Sequence, residues 1–206
     1  MSQLPLALAI HDLKNALGGL EGQLLAMTQA PTVEAAQAAH TNCVELRQQV
    51  VQFLTVYSTE HGLRALCEDE SPQDLVNQLV RDAKAGLFGN IHKTLEITAD
   101  VSQAPPFWYY DRRLVRMALE AALHNAERFT ERRIVMGAMK QDEHLIFFIE
   151  DDGPGLGAPD TATHSTGLGT HLCQSIALAH QNEGRIGRVR LYNRPEVGAR
   201  FELWLP

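Results

Sequence analysis

A ring nitrogen becomes a nucleophile when a neighbouring carboxylate fixes its tautomer, and "AIHDLKNALGGLEGQLLAM" (residues 9–27) sets both groups side by side as His11 and Asp12. Asn15, Gly18 and Gly22 follow His11 at helical spacings and share its stripe. Each glycine costs a helix about 1 kcal/mol against alanine. Gly18, Gly19 and Gly22 therefore weaken this segment unless a bare backbone is needed there. A face without side chains admits another domain closely. Taken alone, an exposed histidine on a helix is more often a plain surface residue; with Asp12, Asn15 and the glycines beside it, the two readings of His11 stand level.

A second set of residues lies in the C-terminal half. In "ALEAALHNAERFT" (118–130), Asn125 and Arg128 stand about one helical turn apart. An amide oxygen can ligate a hard cation while phosphates complete its shell, and a guanidinium can pair with those phosphates. The plainer reading is a polar, frayed helix end. "EDDGPGLG" (150–157) follows the apolar run "LIFFI" with carboxylates and a tight glycine turn. A carboxylate there could accept a hydrogen bond from an adenine amine; as a turn it is ordinary. "STGLGTHLC" (165–173) opens a helix on glycine, where backbone N–H groups cradle anions. Many helix starts need glycine for geometry alone.

The elements that must position these residues are legible in the apolar spacing. Leu6, Ile10, Leu13, Leu17, Leu20, Leu24 and Met27 alternate at steps of four and three, a heptad seam. Ala36, Ala39, Cys43, Leu46, Val50, Phe53 and Tyr57 repeat it after the turn "QAPT" (29–32). Residues 1–66 are thus a helical hairpin, expected to dimerise into a four-helix bundle, with packing against the rest of the chain as the alternative. The acidic stretch 67–73 is the expected linker, and residues 74–206 alternate helices and strands in α+β order. Helices are expected near 75–88, from a cap at Asp111 to about Arg128, and over 168–181, with a hairpin from "RRIVMGAMKQ" and "HLIFFIEDD".

Composition narrows the class. With 18 Lys and Arg against 25 Asp and Glu, the net charge of −7 and the absence of a basic run argue against a nucleic-acid partner. Cys43, Cys67 and Cys173 form no paired motif, which points to reduced thiols and a cytoplasmic setting. The longest uncharged apolar run, Leu4–Ile10, is too short to span a bilayer, so direct membrane insertion is not expected.

In order and spacing these stretches resemble the histidine kinases of two-component signalling. "HDLKN" looks like the phospho-acceptor box, "HNAERFT" like the asparagine box, and "DDGPG" and "TGLGT" like the two glycine boxes. The resemblance runs from about Pro5 to Pro206 and implies a dimerisation and phosphotransfer hairpin ahead of an ATP-binding α/β sandwich of the GHKL type. It implies ATP and Mg²⁺ as cofactors, His11 as the residue phosphorylated, Asp12 as its acid–base partner, and Asn15 as the group orienting water when phosphate is removed from a partner. Asn125 would hold Mg²⁺, Arg128 would contact phosphate, and Asp151 would bind the adenine amine on a turn shaped by Gly153 and Gly155. Gly167, Leu168 and Gly169 would let the lid and helix start approach the phosphates. The partners implied are the receiver domain of a response regulator, a second copy of the chain and a separate sensor protein.

The chain departs from the family pattern at named positions. Ala16 replaces the proline after the acceptor box, Thr170 a common leucine, and the lid before Thr166 carries no phenylalanine. Ala121 stands where related GHKL enzymes carry a glutamate base, which argues against hydrolysis by that route. Two other functions remain open at this stage. One is a histidine phosphotransferase or response-regulator phosphatase with a degenerate ATP domain; the other is an anti-sigma-like ATP-binding module that sequesters a partner.

Overall fold

The structure, a computed structural model, describes residues 4–60, 63–86, 95–157 and 168–206. Helices α1 (Leu4–Gln29) and α2 (Val33–Glu60) form the hairpin. Pro31 lies in the turn, and Thr32 Oγ1 accepts from the Ala35 N–H at 3.1 Å to cap α2. The heptad rows divide in two. Leu20 and Ala39 are buried between the helices, and Asn42 donates to Gln23 Oε1 at 2.8 Å beside them. The intervening row stays open: Ile10, Leu17 and Leu24 on α1 are about half exposed, as is Val50 on α2 to a lesser degree. Each helix therefore uses one apolar row on its neighbour and presents the other outward.

The rest of the chain runs β1 (Glu68–Glu70), α3 (Pro72–Lys84), β2 (Glu96–Gln103), β3 (Trp108–Tyr110), α4 (Arg112–Phe129), β4 (Arg133–Gln141), β5 (His144–Asp151), α5 (Leu168–Ala179), β6 (Gln181–Asn182), β7 (Arg185–Ile186), β8 (Arg188–Asn193) and β9 (Ala199–Leu205). Five strands make one mixed sheet in the order β2-β4-β5-β9-β8, with β2 parallel to β4 and the others antiparallel. The tight β4–β5 turn places Asp142 in the left-handed region. Helices α3, α4 and α5 cover one face, because Leu79, Leu119, Leu123 and Ile176 all turn to the sheet. Helix α2 also packs against α5.

Within the expected linker, Glu68–Glu70 is a strand that pairs with Trp108–Tyr110, and the Leu66 N–H donates to Asp111 Oδ2 at 3.0 Å. This stretch is folded onto the C-terminal part. Acidic residues hid a three-residue strand whose partner lies some forty positions away in sequence.

The opposite sheet face closes itself. Phe148 lies across Gly137, where an added Cβ would overlap the ring, and the Arg200 guanidinium stacks 4.1 Å above the Phe148 ring. Arg188 and Arg190 cover Trp204 at 4.3 and 4.8 Å. Phe148 and Trp204 are buried beneath them.

Candidate functional site

Asp111 starts the wall that carries Asn125. Its Oδ1 accepts from the Leu114 N–H at 3.0 Å and caps α4, as the sequence suggests. Behind it, His180 is buried with both ring nitrogens used. Nε2 accepts from the Asp111 N–H at 3.1 Å, so the proton sits on Nδ1, which donates to the Ile176 carbonyl at 2.7 Å. Burial pulls the His180 pKa down, against the opposing pull of the Ile176 carbonyl and the Asp111 carboxylate.

A cavity of about 270 Å³ opens between α4, α5 and the sheet. Asn125, Arg128 and Phe129 line it from α4, Asp151 from the end of β5, Gly155 from the following turn, and Thr170 from α5. Ile149, Val189, Leu191 and Phe201 make its middle apolar, a shape and lining suited to a flat heterocycle.

Asp151 is buried, and its two oxygens have different surroundings. Oδ1 accepts from the N–H groups of Gly153 at 2.9 Å and Ala199 at 3.1 Å. Oδ2 takes no hydrogen bond from the described residues. The glycines of the turn are required by contact and by conformation. A Cβ on Gly153 would overlap the Phe129 carbonyl, and Gly155 has a φ of +82°.

The neighbouring Asp152 has a different task. Its Oδ1 accepts from the N–H groups of Glu131, Arg132 and Arg133 at 3.0–3.1 Å and ties the α4–β4 connection to the end of β5. Burial raises its carboxyl, but those three donors outweigh it and leave the pKa below the ordinary value.

Gly169 brings the start of α5 against Asn125 and Ala121, so Ala121 acts here as a small contact surface. Gly167 lies outside the described residues, as does the whole lid segment between Gly157 and Thr166, and Leu168 is the first residue of α5. Glu127, two residues past Asn125, was not singled out by sequence. One of its oxygens is buried without a hydrogen-bond partner, and burial pushes its carboxyl up to about 7.

A single amide is a partial shell for a cation. Among the described residues no group of three or more His, Cys, Asp or Glu could hold a metal. Asn125 fits an ion carried in by phosphates and does not fit a stand-alone metal centre.

On the hairpin, the His11 side chain is 65% exposed. Asp12 Oδ1 lies 3.5 Å and the Asn15 amide nitrogen 3.2 Å from the same ring nitrogen, Nδ1. Both neighbours converge on one side of the imidazole and leave Nε2 facing outward. Gly18, Gly19 and Gly22 face open space: a Cβ on any of them would meet nothing within 4 Å.

Residues 110–206 match the family of histidine kinase-, DNA gyrase B- and HSP90-like ATPases. Sensor protein KdpD of Escherichia coli is 25% identical over 225 residues, covering 98% of this chain and 24% of KdpD. Sensor histidine kinase CpxA of Escherichia coli is 23% identical over 213 residues, covering 95% of this chain and 45% of CpxA. The adaptive-response sensory kinase SasA of Synechocystis is 29% identical over 131 residues, covering 55% of this chain and 33% of SasA. The chain thus spans less than half the length of these relatives. Among solved structures, histidine kinase AdeS of Acinetobacter baumannii superposes with a TM-score of 0.73 at 21% identity, covering 95% of this chain and 96% of that one. No helix among the described residues is long and apolar enough to cross a membrane. By its ATPase-family domain, its helical hairpin and relatives that align along nearly all of it, the chain is similar to the sensor histidine kinases.

Proposed function

We propose that this chain is a protein-histidine kinase that phosphorylates His11 from ATP and passes the group to an aspartate on the receiver domain of a response regulator. The observation that carries this reading is the open Oδ2 of Asp151 in the same cavity as Asn125, a hydrogen-bond acceptor for an adenine amine beside a ligand for a phosphate-borne cation. A likeness of fold to ShkA, whose full-length structure is in complex with AMPPNP, supports a nucleotide as occupant (TM-score 0.61, 21% identity, covering 100% of this chain and 46% of that one).

With the Asn15 NH₂ turned away from Nδ1, Asp12 accepts from the Nδ1–H, so the Nε2 lone pair attacks the γ-phosphorus in line with the bond to the β-phosphate bridging oxygen. The N–P bond forms, the P–O bond breaks and ADP leaves, while Asp12 takes up the positive charge or proton released at Nδ1. Asn125, with the phosphates, would hold Mg²⁺, which when bound would supply charge neutralisation. Arg128, on the cavity wall, is placed to pair with phosphate oxygens.

The open rows of α1 and α2 fit a second copy of the chain, giving a four-helix bundle. The bare backbone at Gly18–Gly22 leaves room for a receiver domain next to His11. The Asn15 amide beside His11 favours a second activity, removal of phosphate from the receiver by an oriented water. ATP labelled at the γ-phosphate tests the main reading. Alkali-stable, acid-labile label should appear on wild type and be absent from His11→Ala; an unlabelled wild type, or a labelled variant, defeats it.

A further inference from the structure

We infer that Asn193, the last residue of β8, and Arg194, on the turn between β8 and β9, are positioning residues that aim the Asp151 carboxylate into the cavity. Neither is among the residues lining it. The inference rests on the nucleotide reading above and assigns to that site two residues whose types alone suit any turn.

The turn closes on itself through the Arg194 N–H, which donates to the Gly198 carbonyl at 2.9 Å. From that base Arg194 Nη1 donates to the carbonyl oxygens of Asp151 at 3.3 Å and Val197 at 3.5 Å, and Nη2 lies 3.4 Å from Glu150 Oε2. Asn193 Oδ1 accepts from the Leu156 N–H on the far side of the adenine turn. The same oxygen would stand 2.7 Å from a Cβ on Gly155. Ala199, the next residue past Gly198, donates to Asp151 Oδ1. One short loop therefore grips Asp151 by its carbonyl and by one carboxylate oxygen, and grips the turn after it by a backbone N–H.

The grip is anchored from behind. Glu150 also pairs with Arg200, whose Nε donates to Glu202 at 2.8 Å. Glu202 in turn accepts from the Tyr192 hydroxyl at 2.9 Å and Trp204 Nε1 at 2.8 Å. Recognition of an exocyclic amine by one oxygen depends on direction, and displacements of well under an ångström weaken it.

The test titrates the full chain with ADP and with inosine diphosphate, which carries an oxygen where adenine carries the amine. Wild type should prefer ADP. In Arg194→Ala and Asn193→Ala, ADP affinity should fall about tenfold, the scale of a misdirected hydrogen bond to a charged group. Inosine diphosphate should change less than about threefold, so the preference collapses. Asn193→Asp keeps an acceptor for the Leu156 N–H; it should retain the preference, and it serves if the alanine variants unfold. A preference unchanged in the alanine variants overturns the inference, whether both affinities hold or both fall together, because a merely structural role moves the two ligands alike. Loss of preference in Asn193→Asp equal to that in Asn193→Ala overturns it for Asn193. If wild type binds ADP and the variants match it, the positioning role alone falls; if wild type binds no ADP, the nucleotide reading falls with it.

Discussion

Gly169 and Asn125 are packed so closely that one added carbon on the glycine would stand 3.3 Å from the Asn125 amide nitrogen. The start of α5 and the end of α4 meet at this point, and the amide is free to give only by turning. Gly169→Ala should therefore leave the fold intact, since alanine favours a helix by up to about 1 kcal/mol over glycine. It should weaken Mg²⁺–ADP by roughly threefold to tenfold, with a smaller effect in EDTA, on the scale of one distorted polar contact. Calorimetric titrations with and without the metal measure both effects.

Asp151→Asn separates folding from recognition. The asparagine oxygen can still accept from the Gly153 and Ala199 N–H groups, but its NH₂ then occupies the place of Oδ2. Thermal stability should change little. ADP affinity should drop at least about tenfold, because two donors would face each other. A variant that binds ADP like wild type would remove Asp151 from nucleotide recognition.

The outward rows of the hairpin give a prediction about assembly. Leu17 is 49% exposed and belongs to the row that α2 does not cover. Leu17→Glu should convert a dimer to a monomer in sedimentation-velocity runs, because a charge in an apolar seam is uncompensated. The ATPase-family domain should keep its ADP affinity.

Acid should weaken the C-terminal domain in two stages. His180 has a folded pKa below its ordinary value, so its contribution is complete above about pH 6.5 and is lost as pH falls through the folded pKa. Asp152 is also held low; its contribution is present above about pH 3.9 and disappears as pH falls through the folded value. Melting curves from pH 8 to pH 3 should show the midpoint falling in that order. The gap between wild type and Asp152→Asn at pH 7 should narrow as pH falls below about 3.9. His180→Ala should cost about 2–4 kcal/mol at pH 7, since it orphans a buried donor and a buried acceptor.

Periodic elements were readable from sequence and directional contacts were not. The α1 and α2 seams, the Asp111 cap and the β4–β5 hairpin all follow from local pattern and lie where the spacing puts them. Alternation along β5 also separates the two adjacent acids: Leu145, Phe147, Ile149 and Asp151 share the face that meets the helices, so Asp151 belongs to the cavity. What Asp152 does could not be read, because its three donors come from about twenty positions earlier in the chain. Asn193 and Arg194 were hidden for the same reason. Their residue types suit any turn, and only the meeting of β9 with β5 brings them to Asp151. The split of each heptad seam into a covered and an open row needed the hairpin's actual rotation.

The arginine-covered back of the sheet bears on how such a molecule could work. In the kinase reading proposed above, phosphate would be delivered to an imidazole on the stem, and the same imidazole would later be cleared for a receiver. In that reading, a catalytic half moving between those stations would turn its rear surface toward water. With guanidinium groups laid over Phe148 and Trp204, that rear surface is already wettable, and the journey uncovers no oily ring on the way.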